Sequence, residues 1–465
     1  MLRERYDPYS LFDAVPRLAR RFEPELAAVD RLLDDDALFR LVRDDLVRRR
    51  PRTATTGRPS TPVEVVLRLL VVKHLHGWSY EQTERFVADS LVLRQFCRLA
   101  LEPVPHHTTL LRWADLVQPA TLHRLLDRVV ELARAARVTR GRKLRVDGTV
   151  VETDVHHPSD STLLADAVRV LGRAVHRARA VVGDVPGAAA GLFRDRARSA
   201  AVLARAIGAT MVHGRTDRER ERHRLYERLR AVAAACQRQV ARVRPLLGEV
   251  AGAAAARLRA ALDRFAALAE RVVAQAARRV LRGEQVPAAE KVLSLFEPHT
   301  ALIRRGKARQ RAEFGRKLWL DEVDGGVVTR FALLAGNASD RLQVAPSLAD
   351  HVRRFGRPPD LVAADRGAHS PENERVAAAL GVRRVCLPAP GHRSPARRAH
   401  ERQRWFRRAR RFRTGIEGRI SLLRRCFGLQ RCRYRGEAGM ERWVGWGVIA
   451  HDLRVIGRAS ARRAA

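Results

Sequence analysis

Lysine is nearly missing from this chain. Of its 90 basic residues only five are lysine (Lys73, Lys143, Lys291, Lys307 and Lys317) and all the rest are arginine, a bias that fits GC-rich coding and by itself says nothing about function. Cysteine is as scarce. Cys97, Cys236, Cys386, Cys426 and Cys432 are odd in number, scattered and never paired as Cys-x-x-Cys, which argues against a disulfide framework or a cysteine zinc site and fits a reducing cytoplasm. No apolar run approaches membrane-spanning length: Val63 to Val72 is broken by charge within a few residues, and Met-Leu-Arg-Glu-Arg at the start lacks the apolar core of a signal peptide. Acidic residues are too few to balance the bases. With 51 of them the 465-residue chain carries a net charge of +39, although 46% apolar and 30% charged residues are an ordinary globular balance. A compact fold gains nothing from such self-repulsion. A polyanionic partner explains it, and with membranes set aside that partner is nucleic acid.

The length predicts about three domains. Residues 1–52 read as an N-terminal helical segment, closing on Arg48-Arg49-Arg50-Pro51 and a linker-like stretch rich in Thr, Gly, Pro and Ser from Thr53 to Pro62. Val65, Val66, Leu69, Leu70 and Val72 then recur at helical spacing until Gly77. Ser79, with Gln82 three residues on, has the pattern of a capping box and predicts a second helix to about Leu99. Beyond Pro103 and Pro105, Thr108 or Thr109 is placed to cap a third, through Leu110, Leu111, Trp113 and Leu116. Three short helices with tight turns make residues 53–140 a helix-turn-helix-like DNA-binding region.

The periodicity changes at Lys143. Leu144, Val146, Gly148 and Val150 alternate with Lys143, Arg145, Asp147 and Thr149, a strand with an acid in its middle. Residues 158–290 lose strand character; stripes such as Leu258, Leu262, Phe265, Leu268 and Val272 predict an all-helical insertion, with Pro186, Pro245 and Pro287 as joints. Strands return from Lys317 to Val323, across an Asp324-Gly325-Gly326 turn to Val327–Leu334, then at Asp360–Asp365 and Val382–Leu387. Helices fall around Val344–Phe355, residues 372–380 and Arg404–Phe427, and a C-terminal packing helix at Arg442–Ile456, inside a terminal segment 430–465. With the insertion set aside, residues 141–157 and 291–429 read as an α/β core with a mixed sheet of the ribonuclease H kind.

Three acids stand out. Asp147 is mid-strand, where Asp is disfavoured, and Asp365 ends a strand at the carboxyl edge of the sheet, where α/β sites form. Glu417 borders the apolar stripe of its helix (Phe406, Ala409, Phe412, Ile416, Ile420, Leu423, Phe427) and shares its side with Arg410, Arg413 and Arg424. Between Arg393 and Arg435 sixteen arginines face two acids, which no ordinary solvated helix face explains. Carboxylates to hold two Mg²⁺, with Mn²⁺ as a substitute, and cations along a backbone are what phosphodiester chemistry needs. Taken singly the acids have bland readings: a turn residue at Asp365, and a salt bridge to Arg413 at Glu417. His106-His107 and His156-His157 read as loop histidines, and Trp319, Trp405, Trp443 and Trp446 as core rather than base-stacking residues.

Several stretches together resemble bacterial insertion-sequence DDE transposases of the IS-five-like and ISNCY-like groups. Thr56-Gly-Arg-Pro-Ser-Thr-Pro62, Gly77-Trp-Ser-Tyr-Glu-Gln82 and Val104-Pro-His-His-Thr-Thr-Leu-Leu-Arg-Trp113 are similar to their N-terminal region. Glu313-Phe-Gly-Arg-Lys317, Ala364-Asp-Arg-Gly367, Ile416-Glu-Gly-Arg-Ile420 and Cys426-Phe-Gly-Leu-Gln-Arg-Cys-Arg-Tyr434 are similar to their catalytic core. The resemblance implies a metal-binding triad of Asp147, Asp365 and Glu417. Around the family's Glu runs Tyr-x-x-Arg-x-x-x-Glu-x-x-x-x-x-x-Lys; Arg413 and Glu417 match it, Arg424 replaces the Lys with another cation, and Arg410 replaces the Tyr. DNA contacts then fall to Arg410, Arg413, Arg424 and Arg425 on the long helix and to Thr108, Thr109 and Arg112 on the third short helix. The implied function is binding of terminal inverted repeats, metal-dependent cleavage, and strand transfer to target DNA by a homodimer or larger synaptic complex. A DNA-binding relative without catalysis and a stand-alone ribonuclease-H-like nuclease are the alternatives.

Overall fold

The computed structural model describes residues 1–6, 15, 22–49, 52, 56, 59–99, 101–183, 192, 194–210, 216–304 and 312–464. The chain is α/β and divides into two compact units, one of Met1–Asp154 with Arg316–Ala465, the other of Val155–Gly315. The first unit begins with helices α1 (Pro24–Leu33), α2 (Asp36–Val47), α3 (Val63–His76), α4 (Tyr80–Asp89), α5 (Leu91–Phe96), α6 (His107–Ala114) and α7 (Pro119–Ala135), followed by strand β1 (Lys143–Thr153). Half of the predicted Thr53–Pro62 linker (residues 53–55, 57 and 58) and the Arg50-Pro51 pair lie outside the described residues.

Helix α3 starts after extended Pro62 and stops at left-handed Gly77, and nearly every residue between is buried. The capping box is present: Gln82 N–H donates to the Ser79 hydroxyl at 3.0 Å, and Ser79 N–H to the Gln82 side chain at 2.9 Å. The single helix expected to Leu99 is two. Ser90 is extended, ends α4, and accepts from Leu93 N–H to start α5, because a serine hydroxyl competes for backbone donors better than a mid-helix position can tolerate. The cap of α6 is His106, whose imidazole accepts from Thr108 N–H, so Thr108 and Thr109 fall in the first turn instead of capping it.

The second unit contains α8 (Asp160–Val182), α9 (Ala197–Thr210), α10 (Thr216–Glu249) and α11 (Ala253–Ala276), packed around their own core, in which Leu164, Val168, Leu229, Val243, Leu262 and Val272 are fully enclosed. Pro186 lies outside the described residues, and Pro245 is not a joint: it sits inside α10. Buried Val243 and Leu247 on either side hold that turn in place despite the missing N–H. The unit closes with β2 (Ala301–Ile303), paired antiparallel with Glu313–Gly315 at the start of β3 (Glu313–Val323).

Beyond Gly315 the chain is again in the first unit, with β4 (Val328–Leu334), α12 (Val344–Phe355), β5 (Leu361–Ala363), α13 (Pro371–Ala379), β6 (Arg384–Cys386), α14 (Pro395–Arg402), α15 (Arg404–Cys426), β7 (Arg431–Cys432) and α16 (Gly436–Ala464). The sheet order there is β4-β3-β1-β5-β6, with β7 at the far end of β1. β4 is antiparallel to β3, and β5, β6 and β7 extend the sheet in parallel. β3 runs against β1: Asp324 N–H donates to the Lys143 carbonyl at 3.1 Å, while Gly148, further along β1, faces Lys317 and Trp319, earlier on β3. Only glycine fits at 325, where φ is +86° and a Cβ would collide with the Val138 carbonyl.

Helix α15 lays its stripe across β1, β5 and β6, burying Phe406, Ala409, Ile416 and Leu423. Helix α16 is longer than Arg442–Ile456 and is enclosed by α1, α3 and α7, so it is apolar on most sides and shows little amphipathic pattern. The buried side chains of α1–α7, most of the sheet and α16 form one continuous core, and Leu361, Ala363 and Cys386 of β5 and β6 form a second, smaller one with Phe406 and Ala409 of α15. All five cysteines are free thiols, and no described helix is long and apolar enough to cross a membrane.

Next to this core sits a buried pH lever. Asp321 on β3 is enclosed, and burial pushes its carboxyl up to about 7, against the lowering by Arg330 and the Ser347 hydroxyl. Unfolding frees the carboxyl to ionise from its ordinary value of 3.8 upward, so stability falls as pH rises across that window. Asp321→Asn is expected to flatten this dependence, which is on the order of a few kcal/mol. Urea midpoints of both proteins at about pH 4 and about pH 8 measure it, and parallel curves would remove Asp321 as the cause.

Candidate active site

β1 brings Asp147 to the middle of the sheet, where both faces of the strand are covered. Its Oδ1 accepts from Gly148 N–H at 2.8 Å and its Oδ2 from the Arg413 guanidinium at 2.7 Å. Arg413 also donates to Glu417 Oε1 at 2.6 Å, one turn on in α15. One guanidinium therefore bridges the first and third acids. Asp365 follows β5 and caps a short turn, its Oδ1 accepting from Ala368 N–H at 3.2 Å. Asp365, Arg413 and Glu417 line a cleft of about 700 Å³ together with Arg407, Arg410 and Arg411, and Asp147 is joined to that cleft by Arg413. The Glu417 side chain is 60% exposed against 12% for Asp147, so the third acid faces solvent while the first is enclosed.

Two buried ion pairs set the spacing of these acids. Glu322 on β3 is fully enclosed and receives Arg145, two residues before Asp147, at 2.6 Å and Arg419, two residues after Glu417, at 3.1 Å. Arg145 also donates to the Phe412 carbonyl of α15 at 2.6 Å, and Arg419 reaches His451 of α16 at 2.9 Å. His451 and the backbone N–H of Val328 both meet buried Asp452, at 2.8 and 3.0 Å. The strand carrying Asp147 and the helix carrying Glu417 are thus clamped to one carboxylate.

The structure places a fourth acid here that the sequence reading missed. Asp340 Oδ1 lies 3.3 Å from where a Cβ on Gly148 would be, and Asp340 Oδ2 and Asp365 Oδ1 each lie 3.2 Å from where a Cβ on Gly367 would be. Lys317 pairs with Asp340 at 2.8 Å and donates to the Ala338 carbonyl at 2.7 Å. The sequence signal was a glycine shortly after each strand acid, Gly148 one residue after Asp147 and Gly367 two after Asp365, which leaves room for this side chain.

Carboxylate oxygens are hard ligands suited to Mg²⁺ or Mn²⁺, and Asp147 and Glu417 already share one cation, the guanidinium of Arg413. Asp147, Asp365 and Glu417 are by donor chemistry the residues that would hold such an ion, and in this structure Arg413 occupies the place between the first and the third. The one trio of potential ligands within 4.8 Å of one another among the described residues is elsewhere: Glu84, His106 and His107. These histidines open α6 instead of lying in a loop. Glu84 is held below its usual range: slight burial raises it, and the His107 backbone N–H and imidazole, at 2.7 and 2.8 Å, outweigh that.

Of the cations expected at DNA, Arg410 and Arg413 line the cleft, whereas half-exposed Arg424 and exposed Arg425 lie further along α15 and do not. Arg112 and Thr108 are exposed and Thr109 half-exposed on α6. Trp319, Trp443 and Trp446 are buried core residues; Trp405 is half-exposed, packing against the small core of Leu361, Ala363, Cys386, Phe406 and Ala409 while also lining a separate pocket. No curated protein and no solved structure matches this chain. Residues 17–116, spanning α1 to α6, match the family model of a transposase domain (DUF772), so this stretch of the chain is transposase-like.

Proposed function

We propose that the protein is a DDE transposase with a ribonuclease-H-like catalytic core, which binds the terminal inverted repeats of its element and cuts and rejoins DNA. The observation that carries this reading is the Arg413 guanidinium held between Asp147 and Glu417 at the edge of an arginine-lined cleft that also contains Asp365. The sheet order, with an antiparallel β4-β3-β1 half and a parallel β1-β5-β6 half, supports the ribonuclease-H-like core. The transposase-like match at residues 17–116 supports DNA recognition by a helix-turn-helix-like region there, with Thr108, Thr109 and Arg112 at the DNA.

In this reading Asp147, Asp365 and Glu417 hold Mg²⁺ or Mn²⁺, which supplies an activated water and charge neutralisation for in-line displacement. Arg407, Arg410 and Arg411 grip the phosphate backbone as it enters the cleft. Arg413, displaced from the acids, turns its two N–H edges to the scissile phosphate. Lys317 keeps Asp340 in place beside Asp365. Hydrolysis breaks the P–O3′ bond at the element end, and the freed 3′-hydroxyl then attacks a target phosphodiester, displacing another 3′-oxygen. Joining two ends requires a dimer or larger assembly, and the protein works where DNA is found, in the cytoplasm.

The test follows a supercoiled plasmid carrying the gene's own flanking DNA with Mg²⁺ or Mn²⁺, comparing wild type with Glu417→Gln. Cleavage at the element ends that disappears in the variant is the expected result. Equal cutting by both removes Glu417 from the site, and tight binding of the flanks without cutting by either favours a DNA-binding protein without catalysis. Cutting without joined products favours a nuclease.

A further inference from the structure

Helix α15 borders a second pocket with no residue in common with the cleft. It has a volume of about 490 Å³ and lies at the opposite ends of the same strands, where Lys143 begins β1, Leu361 begins β5 and Arg384 begins β6. Lys143, Arg384, Arg404 and Arg408 supply its charge, and no carboxylate lines it. Among the described residues none of these four side chains carries an ion pair to an acid, in contrast to Arg145 next door, which is committed to Glu322. Four uncompensated cations around one concavity are a site for anionic oxygen.

The rings separate a nucleotide from a bare phosphate. Trp405 is half-exposed in the pocket wall; His400 and Phe406 support it edge-on at 5.4 and 5.3 Å, and its indole N–H is held by the Gln403 side chain. Among the described residues Arg384, 5.9 Å from the ring centre, is the one cation over it. Phe412 is the opposite case, with Arg145 at 4.8 Å and Lys143 at 5.8 Å against its ring. A half-exposed indole fixed by its neighbours, with cations around it and no acid, is the combination that binds single strands: a base on the aromatic face and phosphates on the cations. The volume lies within the roughly 300–1,000 Å³ of small-ligand pockets, enough for a base and its sugar.

We propose that this pocket, formed by Trp405, Phe412, Lys143, Arg384, Arg404 and Arg408, binds one nucleotide of a single DNA strand, with its base on Trp405 and its flanking phosphates on the four cations. It is a binding site separate from the cleft and needs no metal.

The experiment measures the anisotropy of a fluorescein-labelled oligothymidylate of about 12 nucleotides, within the size range one such site covers, against the full chain in EDTA over a series of salt concentrations. Trp405→Ala is expected to weaken binding about tenfold, the contribution of one stacked base, and Trp405→Phe to restore most of it. Arg404→Ala with Arg408→Ala is expected to lower the slope of log affinity against log salt by about one. Binding by Trp405→Ala within about twofold of wild type, while Trp405→Phe and wild type agree, overturns the assignment. Displacement of the strand by an equal concentration of thymidine monophosphate also overturns it, in favour of a free-nucleotide site. If Trp405→Ala does not fold, the arginine pair decides, and an unchanged salt slope overturns the proposal. Because EDTA removes any cleavage, failure here leaves the plasmid test standing, and failure there leaves this one.

Discussion

Asp147→Asn is expected to reduce cleavage at the element ends by a factor of about 10³ or more, beyond the roughly 10–100-fold that outer partners of a metal contribute. The change removes one negative charge at the most enclosed acid of the site and leaves its shape. The substituted amide would still accept from Gly148 N–H through its carbonyl, but in place of Oδ2 it would turn an NH2 group, itself a donor, toward the Arg413 guanidinium and leave no second oxygen for a divalent ion. Single-turnover cutting of the flank-bearing plasmid gives the rate, and the rise in melting temperature with added Mn²⁺ gives the metal dependence independently of turnover. In wild type that rise is expected, and in the variant it should shrink. If the variant cuts at the wild-type rate, Asp147 is only the structural counter-ion of Arg413, and the bridge it forms is a salt bridge of the resting fold.

The largest expected loss of stability comes from a residue far from any chemistry. Arg68 in α3 is 0% exposed and donates to Asp30 at 2.7 Å, Asp34 at 2.6 Å, Glu64 at 3.2 Å and the Phe96 carbonyl at 3.1 Å. It ties the end of α1 to α3 and α5. Arg68→Ala is expected to cost about 3–5 kcal/mol, because Asp30 and Glu64, each only 15% exposed, lose the guanidinium without fully regaining water, although Asp34 is already half in solvent. Arg98, which also reaches Asp30 and Asp34, at 3.0 and 3.2 Å, keeps the loss toward the lower figure. Arg68→Lys retains the charge but not the fork, and should recover only part of the difference. Denaturant midpoints at constant m-value report both, and a loss below about 1 kcal/mol for Arg68→Ala would show the network to be a set of separately solvated pairs.

How far the sequence spoke depended on whether the signal was local. Helix α12 starts and ends at the residues its apolar period marks, and α15 ends within a residue of expectation, since its buried stripe is unbroken from Phe406 to Leu423. The split at Ser90, the His106 cap and the helical Pro245 were missed, because each depends on which of two local hydrogen-bonding or packing options the surroundings favour. In the site, Asp147, Glu417 and Arg413 could be picked out individually from strand position and helical spacing. That one guanidinium holds both acids could not, since it joins residues 266 apart in sequence. Asp340, Glu322 and Arg68 were invisible for the same reason: each reads as an ordinary surface charge until strands and helices distant in sequence close around it. Trp405 reads as core from its place next to the buried stripe and does pack there, and only the tertiary structure shows that part of its ring also lines a pocket.

Strand order in space and order along the chain are at odds around β1. The part of β3 from Arg316 on, β5, and the helix α15 that covers β1 are all encoded after the 155–315 unit. At synthesis rates of roughly 5–20 residues per second, the strand bearing Asp147 leaves the ribosome roughly 15–55 s before Glu417 does. The intervening unit has a core of its own, built from helices adjacent in sequence, and can close in that time. β1 cannot: its apolar faces stay uncovered on the nascent chain until the later strands arrive. The first acid of the site is made early and enclosed late, and the yield of folded protein depends on how well that waiting strand is kept from pairing elsewhere.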